Sequence, residues 1–440
     1  MGIYFGTDGI RGVYGEDLTP NIAYVCGNSL SRKCKNKKVL LGRDTRTTGD
    51  VLAMSFANGL LQNGVNVIDV GVVTTPVVAQ LTRQQKCDFG VMISASHNPP
   101  SHNGIKLFDK NGYKISDELE NELERKFMMQ ASVGFDEIGR LTYKPRLVDK
   151  YIGNITKNIV NLSGLHLVID CGNGGASRVA KKVFERAGAK VTAINCKTDG
   201  KGINCNCGAL HPEGMAKKVV REKADLGLAF DGDADRIIAC DEKGNLLDGD
   251  DILYLLARHF ENQTDAVVGT SMTNKGLEED LSRHGISLIR VSVGDKYVIE
   301  KMLAENLMLG GETSGHIIIK PYCTTGDGVM TGLLLAEIIK KTGKKISSCA
   351  KYKKYPQIIK NVEVFDKYEI VGNKQLAQEV SKTQKNFDKK GRVLLRASGT
   401  ESKIRIMCEH KSQKTAEKAA ENLEKMVKMI IQNQNNNSEI

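Results

Sequence analysis

The stretch LGLAFDGDADRIIACDEKG sets Asp231, Asp233 and Asp235 two residues apart, between two alternating apolar runs. That pattern predicts a tight acidic turn joining two paired strands. Carboxylates held so close repel one another, and burying the flanking strands would make unpaired charge there very unfavourable. A hard divalent cation relieves both problems, and Mg²⁺ prefers such oxygen ligands. A solvated acidic turn is the plainer alternative. With Glu242 the spacing also imitates a calcium loop, but Arg236 stands where that loop needs glycine, and strands replace its helices. Arg236 is placed to pair with a carboxylate or with a phosphate oxygen beside the metal, which points to phosphoryl chemistry.

Other loops carry compatible groups. ISASHNPPSHNGIK, Ile93 to Lys106, follows the apolar run DFGVMI. A serine can carry a phosphoryl group where a metal shields the phosphate and a nearby base handles the proton. Ser94, Ser96 and Ser101 all qualify, and spacing alone selects none of them. LLRASGTESKIRIM sets Arg396 and Arg405 around Ser398, Gly399 and Thr400. Small residues, hydroxyls and guanidinium forks together make a phosphate cradle; a strand turn with surface arginines is the alternative. In GGETSGH, Glu312 and Ser314 could hold the vicinal hydroxyls of a sugar, and His316 could meet a phosphate or carry a proton. Taken alone, that segment reads better as a generic loop. FGTDGIRG and GRDTR put Arg11, Arg43 and Arg46 in loops, for anion binding or for ion pairs with Asp8 or Asp44; the sequence leaves both open.

Two look-alikes fail. DCGNGGAS imitates a dinucleotide fingerprint, but Ser177 replaces the third glycine and no acid closes the next strand. CNCGALH offers Cys205, Cys207 and His211 for zinc, without a fourth ligand or the usual spacing.

The elements that must position these loops are legible as repeats of strand, loop, amphipathic helix and strand, seen in KKVLLGRDTRTTGDVLAMSFANGLLQNGVNVIDVG, LHLVIDCGNGGASRVAKKVFERAGAKVTAIN and DAVVGTSMTNKGLEEDLSRHGISLIRVSVG. Such βαβ units imply mainly parallel sheets covered by helices. The expectation is three similar α/β domains with mixed, mainly parallel sheets, at 1–150, 151–250 and 251–362. A small C-terminal α+β domain follows at 363–440, with a disordered polar tail, NQNNNSEI.

The 440 residues carry a formal net charge of +11, with 5% aromatic residues and no Trp. The charge favours an anionic partner, while scarce aromatics disfavour base stacking, so nucleic acid is not expected. No uninterrupted apolar run approaches the roughly 18 residues of a membrane span. Eleven scattered cysteines and no recognisable signal peptide predict reduced thiols and a cytoplasmic protein.

Together, SASHNP, DGDADR, GETSGH and RASGTE resemble, in order and spacing, the signature loops of the α-D-phosphohexomutase superfamily, one per domain. The resemblance runs from about residue 3 to 430. FGTDGIRG, GDKYV and YCTTGDG are most similar to the bacterial branch acting on glucosamine phosphates. It implies four domains around a central cleft, the last a lid. Ser96 is then the phosphoserine, and the metal set is Ser96, Asp231, Asp233 and Asp235. Lys106 is implicated in proton transfer, with His97, Arg236, His316 and Arg11 as further catalytic candidates. Glu312 and Ser314 meet sugar hydroxyls, and Arg396, Ser398, Gly399, Thr400 and Arg405 hold the distal phosphate. The implied cofactors are one Mg²⁺, a phosphate on Ser96 and a hexosamine bisphosphate serving as primer and intermediate. The partner is a small phosphosugar, with no nucleic acid or membrane; a homodimer is compatible with this reading, although nothing in the sequence sets the oligomeric state. The alternatives are a phosphoglucomutase or phosphomannomutase, a metal-dependent phosphatase, and a non-catalytic anion- or nucleic-acid-binding protein. Lys296 stands where arginine is expected in GDRYV, and Ser402 where proline is common.

Overall fold

The computed structural model describes residues 4–6, 8–127, 138–350, 352–397 and 402–438, with side chains through 432. The chain divides into two compact units, 1–273 with 284–351 and 274–283 with 352–440.

The first unit holds three sheets. In the first, β1 (Phe5–Gly6), β2 (Gly9–Val13), β3 (Lys38–Arg43), β4 (Asn66–Val72), β5 (Phe89–Ile93), β6 (His102–Asp109) and β7 (Leu141–Tyr143) lie in the order β1-β2-β6-β5-β3-β4-β7. β3 pairs in parallel with both β4 and β5, while β5, β6 and β2 pair antiparallel. The second sheet has the order β12-β11-β10-β8-β9, built from β8 (His166–Asp170), β9 (Lys190–Ile194), β10 (Leu226–Phe230), β11 (Ile237–Cys240) and β12 (Leu246–Leu247). The third, β14-β13-β15-β16, uses β13 (Ala266–Thr270), β14 (Ser287–Val291), β15 (Leu309–Gly311) and β16 (Ile317–Ile319). Each sheet therefore has a parallel centre and an antiparallel edge, as expected of mixed sheets.

The expected repeats appear as parallel pairs: β3 with β4, β8 with β9 and β13 with β14. Their β-branched and leucine runs are buried on both faces, as in VLL of β3 and the whole of β5, β10 and β13. Local chemistry sets the helix starts. Thr19 caps Pro20–Ser31, Asp248 forms a capping box for Gly249–His259, and Asp327 caps Gly328–Thr342 through Met330 N–H. Asp327 is buried and also accepts from the Tyr151 hydroxyl at 2.9 Å, tying that cap to the helix Val148–Thr156.

The second unit carries an antiparallel sheet, β17-β19-β18, from β17 (Gln357–Glu363), β18 (Gly391–Ala397) and β19 (Lys403–His410). Leu376, Ile404, Ile406, Leu423 and Val427 form its core beneath two helices. The last helix runs Gln413–Ser438 and so takes in most of the tail expected to be disordered. Once a helix is nucleated and anchored by Leu423 and Val427, extending it fixes one residue per bond gained, and polar Asn and Gln can follow.

Candidate active site

Three of the four candidate loops leave the carboxyl ends of central strands in the first unit. The serine loop follows β5, the aspartate loop follows β10, and the Glu312–His316 loop follows β15. Ligand sites of open α/β sheets form at such ends.

Ser96 is fully buried with φ of +50°, a left-handed conformation that side chains seldom adopt. Several groups hold it there. Its N–H donates to Ser94 Oγ at 2.9 Å, and its carbonyl accepts from Arg46 Nη2 at 3.0 Å and Asn204 Nδ2 at 2.8 Å. Arg46 also reaches the carbonyls of Asn98, Pro99 and His102, and forms a fully buried pair with Asp44. The Ser96 hydroxyl donates to Asp231 Oδ2 at 2.5 Å, and His97 Nδ1 lies 3.3 Å from Ser96 Oγ. Burial, then the nearby Arg236 and Arg11, lowers His97 to about 4, so its imidazole is neutral at neutral pH.

The aspartate loop closes the hairpin between β10 and β11, where Phe230 pairs with Ile237. Asp231, Asp233 and Asp235 are buried, and each offers a ligand oxygen within 4.8 Å of the others. Gly232 packs against the serine loop so closely that a Cβ there would come 2.5 Å from the Ser96 carbonyl. Thr75, at the start of the helix Thr75–Gln84, pins the loop from the first sheet. Its N–H donates to the Asp233 carbonyl and its hydroxyl to Asp233 Oδ2.

Lys106 comes from β6 and is 1% exposed. Its ammonium donates to Asp233 Oδ2 and Asp235 Oδ2, both at 2.8 Å, and lies 3.3 Å from Asp8. Burial alone would lower its proton affinity, but Asp233, Asp235 and Asp8 hold it well above the usual lysine range. Lys106 is therefore a charged ammonium at neutral pH. Burial would raise Asp235, yet Lys106, His316 and Arg236 hold it well below the carboxylate range. At Asp231, burial and the charges of Asp235 and Asp233 outweigh the opposing Arg236 and the Ser96 hydrogen bond, and push it well up.

The residues present fit a hard cation. Asp233 Oδ1 and Asp235 Oδ1 are buried and accept no hydrogen bond, an arrangement that a divalent ion would satisfy. The Ser96 hydroxyl is already against Asp231, so it lies beside the same set.

An ion-pair chain surrounds this centre. Asp8 pairs with Arg11 and Lys114, and Lys114 also pairs with Asp295. His316 Nδ1 is 3.8 Å from Asp235 and its Nε2 is 3.6 Å from Asp295. Gly326 N–H donates to Nε2 at 3.0 Å. Arg236 and His316 form an antiparallel backbone bridge across the two loops, and Ile237 N–H donates to the Gly315 carbonyl at 3.0 Å. Gly315 has φ of +89°, and a Cβ there would lie 2.0 Å from the Ile237 carbonyl, so only glycine lets the loops meet.

Ser96, His97, Lys106, the three aspartates, Arg236, His316 and Arg11 thus form one connected site. Glu312 is buried and accepts from Gly294 N–H at 3.0 Å, while Ser314 is exposed at the tip of its loop. In the second unit, Arg396 and Arg405 stand directly opposite each other on β18 and β19. Ser398, Gly399 and Thr400 lie outside the described residues. Arg43 turns away to Asp50 and Asp69, whereas Arg46 braces the serine loop. Thr75, Asn204, Lys114 and Asp295 were not foreseen. Thr75 lies in a TTP segment that reads only as a helix start, and Asn204 directly precedes the cysteine look-alike.

Four family models match in succession. They are domains I, II and III of phosphoglucomutase/phosphomannomutase, each described as alpha/beta/alpha, at residues 2–132, 149–244 and 248–355, and the C-terminal domain at 359–426. The chain belongs to the phosphoglucomutase/phosphomannomutase family. Among relatives, it is 43% identical to a phosphoglucosamine mutase of Carboxydothermus hydrogenoformans, over 96% of this chain and 98% of that one. It is 42% identical to a phosphoglucosamine mutase of Staphylococcus aureus, over 97% and 98%. A crystal structure of a phosphoglucomutase/phosphomannomutase family protein from Burkholderia thailandensis shares the fold of this mutase-family chain, with TM-score 0.82 at 24% identity over 96% and 97%. So does N-acetylphosphoglucosamine mutase of Aspergillus fumigatus, solved with GlcNAc-6P and magnesium, at TM-score 0.68 and 18% identity over 97% and 95%. Among the described residues, no helix is long and apolar enough to cross a membrane.

Proposed function

We propose that this protein is an intramolecular phosphotransferase that interconverts glucosamine 6-phosphate and glucosamine 1-phosphate. The observation that carries the reading is the Ser96 hydroxyl, held at a strained backbone position against Asp231 within a buried ring of three carboxylates. Near full-length identity of 42–43% to phosphoglucosamine mutases supports the substrate.

In this proposal Ser96 is the phosphoryl carrier. It passes its group to the free O1 hydroxyl of glucosamine 6-phosphate, giving a bisphosphate. That intermediate reorients without leaving, and Ser96 takes back the other phosphoryl group. Asp231, Asp233 and Asp235 would hold one Mg²⁺, which supplies charge neutralisation for the moving group when bound. Lys106, charged and buried, offers a proton to a leaving oxygen, and Arg236 offers a fork to phosphate oxygens. Arg11 is held at the serine loop by Asp8, with Asn98 Oδ1 3.3 Å away, and presents a second cation. Glu312 and Ser314 would grip the sugar hydroxyls, and Arg396 and Arg405, with Ser398, Gly399 and Thr400, the phosphate that is not reacting.

The test is a coupled assay with Mg²⁺, glucosamine 6-phosphate and a trace of hexosamine bisphosphate as primer. Formation of glucosamine 1-phosphate is the expected result. The family description also admits the sister reading of phosphoglucomutase or phosphomannomutase. Faster turnover of glucose or mannose 1-phosphate than of the amino sugar would favour it. Release of inorganic phosphate without isomerisation would indicate a phosphatase, and steeply salt-dependent duplex DNA binding without turnover a binding protein.

A further inference from the structure

A pair of cysteines lies behind the active site, in the turn that braces it. Cys171 directly follows β8 and is buried; Cys196 follows β9 and is exposed. The strands run parallel in register, Asp170 opposite Ile194. Both cysteines converge on one acceptor, the Ile194 carbonyl. Cys171 N–H reaches it at 3.1 Å and Cys196 Sγ at 3.2 Å. Asn195 makes this convergence possible. Its φ of +50° turns the chain back towards β8, and its side chain is tied to Asp170 Oδ2 at 2.9 Å. Cys171 and Cys196 thus meet at one peptide group. Disulfides span Cα separations of about 4.4–6.8 Å, a range that two residues meeting at one carbonyl oxygen can enter.

The chemistry of the pair is asymmetric. The neighbouring Cys171, with Lys181, lowers the Cys196 thiol, while Cys196 and burial raise Cys171 well above the usual range. An exposed thiol with thiolate character beside a buried partner is the arrangement of an attacking and a resolving cysteine.

The turn that follows Cys171 touches both halves of the site. Gly175 N–H donates to the Gly232 carbonyl in the aspartate loop at 2.8 Å. Asn173 accepts from Thr45 Oγ1 in the loop that carries Arg46. The Gly172 carbonyl holds Asn204 N–H at 2.9 Å, and Asn204 holds the Ser96 carbonyl.

We propose that Cys171 and Cys196 are a peroxide-oxidisable dithiol whose closure to a disulfide loosens the brace under Ser96 and Asp231 and slows the enzyme. The oxidant is hydrogen peroxide or another hydroperoxide. The Cys196 thiolate attacks one peroxide oxygen, forming a sulfenic acid and releasing hydroxide. The Cys171 sulfur then displaces the sulfenic oxygen, which takes up the thiol proton and leaves as water. The dithiol loses two electrons in all, and the peroxide is reduced by the same two.

The experiment treats the full reduced chain with hydrogen peroxide, blocks the remaining thiols by alkylation, and maps peptides without reduction. The expected map contains a Cys171–Cys196 crosslink. Turnover of hexosamine phosphate, which rests on the function proposed above, falls by roughly tenfold through misplacement of the reacting groups and returns with dithiothreitol. Cys196→Ser gives neither the crosslink nor the loss, and Cys171→Ser leaves Cys196 as an unresolved sulfenic or sulfinic acid. Alkylated Cys171 beside over-oxidised Cys196 in the wild-type chain, or a crosslink through Cys205 or Cys207 instead, would overturn the pair. A Cys171–Cys196 crosslink with unchanged turnover would overturn the brace. Should the mutase assay itself fail, the peptide map still decides the pair.

Discussion

Two hairpin loops lie side by side in the first unit, and they are built in opposite ways. The loop between β10 and β11 buries three carboxylates, and Thr75, Lys106 and Ser96 bind them from other segments. The loop between β15 and β16 meets it at the Arg236–His316 pairing but leaves Ser314 in solvent. A phosphoryl group moves through a fixed point, so its donors must be rigid and dry. A sugar that reacts from either end must be gripped in two opposite orientations, which an open loop tip permits. On the proposed function, the contrast separates a site for chemistry from a site for recognition, and it sets how mutations in each should behave.

The largest effect is expected in the buried loop's partner. Ser96→Ala should lower turnover by roughly 10⁴-fold or more, with circular dichroism and melting temperature near wild type, because it removes the proposed carrier and not the scaffold. Removing divalent cations with EDTA should take activity to background, and added Mg²⁺ should restore it. Melting temperature should fall on chelation as well, because the buried carboxylates lose a counter-charge.

Lys106→Ala should act on stability as much as on rate. It leaves buried carboxylates uncompensated, a loss of roughly 3–5 kcal/mol. Excess Mg²⁺ should recover part of that loss in a thermal melt, because the ion offsets the same charges. A melt insensitive to Mg²⁺ would break the assignment of one shared electrostatic centre. The smallest effect belongs to the open loop. Ser314→Ala should raise KM by about three- to tenfold through one lost hydrogen bond, with melting temperature unchanged. A large fall in kcat there would erase the distinction between the two loops.

How much of this was legible in the sequence follows the same division. The β10–β11 hairpin announces itself by alternation and by three acids at a fixed spacing, because local pattern and local chemistry coincide. The parallel units were readable for the same reason, their periodicity being local. The braces were not. Arg46 in GRDTR left ion pairing and anion binding equally open, and its main duty is toward backbone carbonyls of a loop some fifty residues on. Carbonyls have no sequence signature. Thr75 and Asn204 act across sheets, so their roles follow from packing between segments far apart in the chain. The choice of Ser96 over Ser94 came from family resemblance. In the structure Ser94 Oγ donates to Asp44 and accepts from Ser96 N–H, which makes it a support for its neighbour. The final helix itself was legible, but its continuation into NQNNNSEI was missed because composition argued for disorder, while anchoring by Leu423 and Val427 is a tertiary fact.

The most direct test of the central claim is to incubate the purified protein with hexosamine bisphosphate, quench it, and locate covalent phosphate by peptide mass mapping. The account predicts phosphate on Ser96, absent in Ser96→Ala, and transferred to sugar when glucosamine 6-phosphate is added in excess. Phosphate on Ser94 or Ser101, or isomerisation that persists in Ser96→Ala, would contradict it.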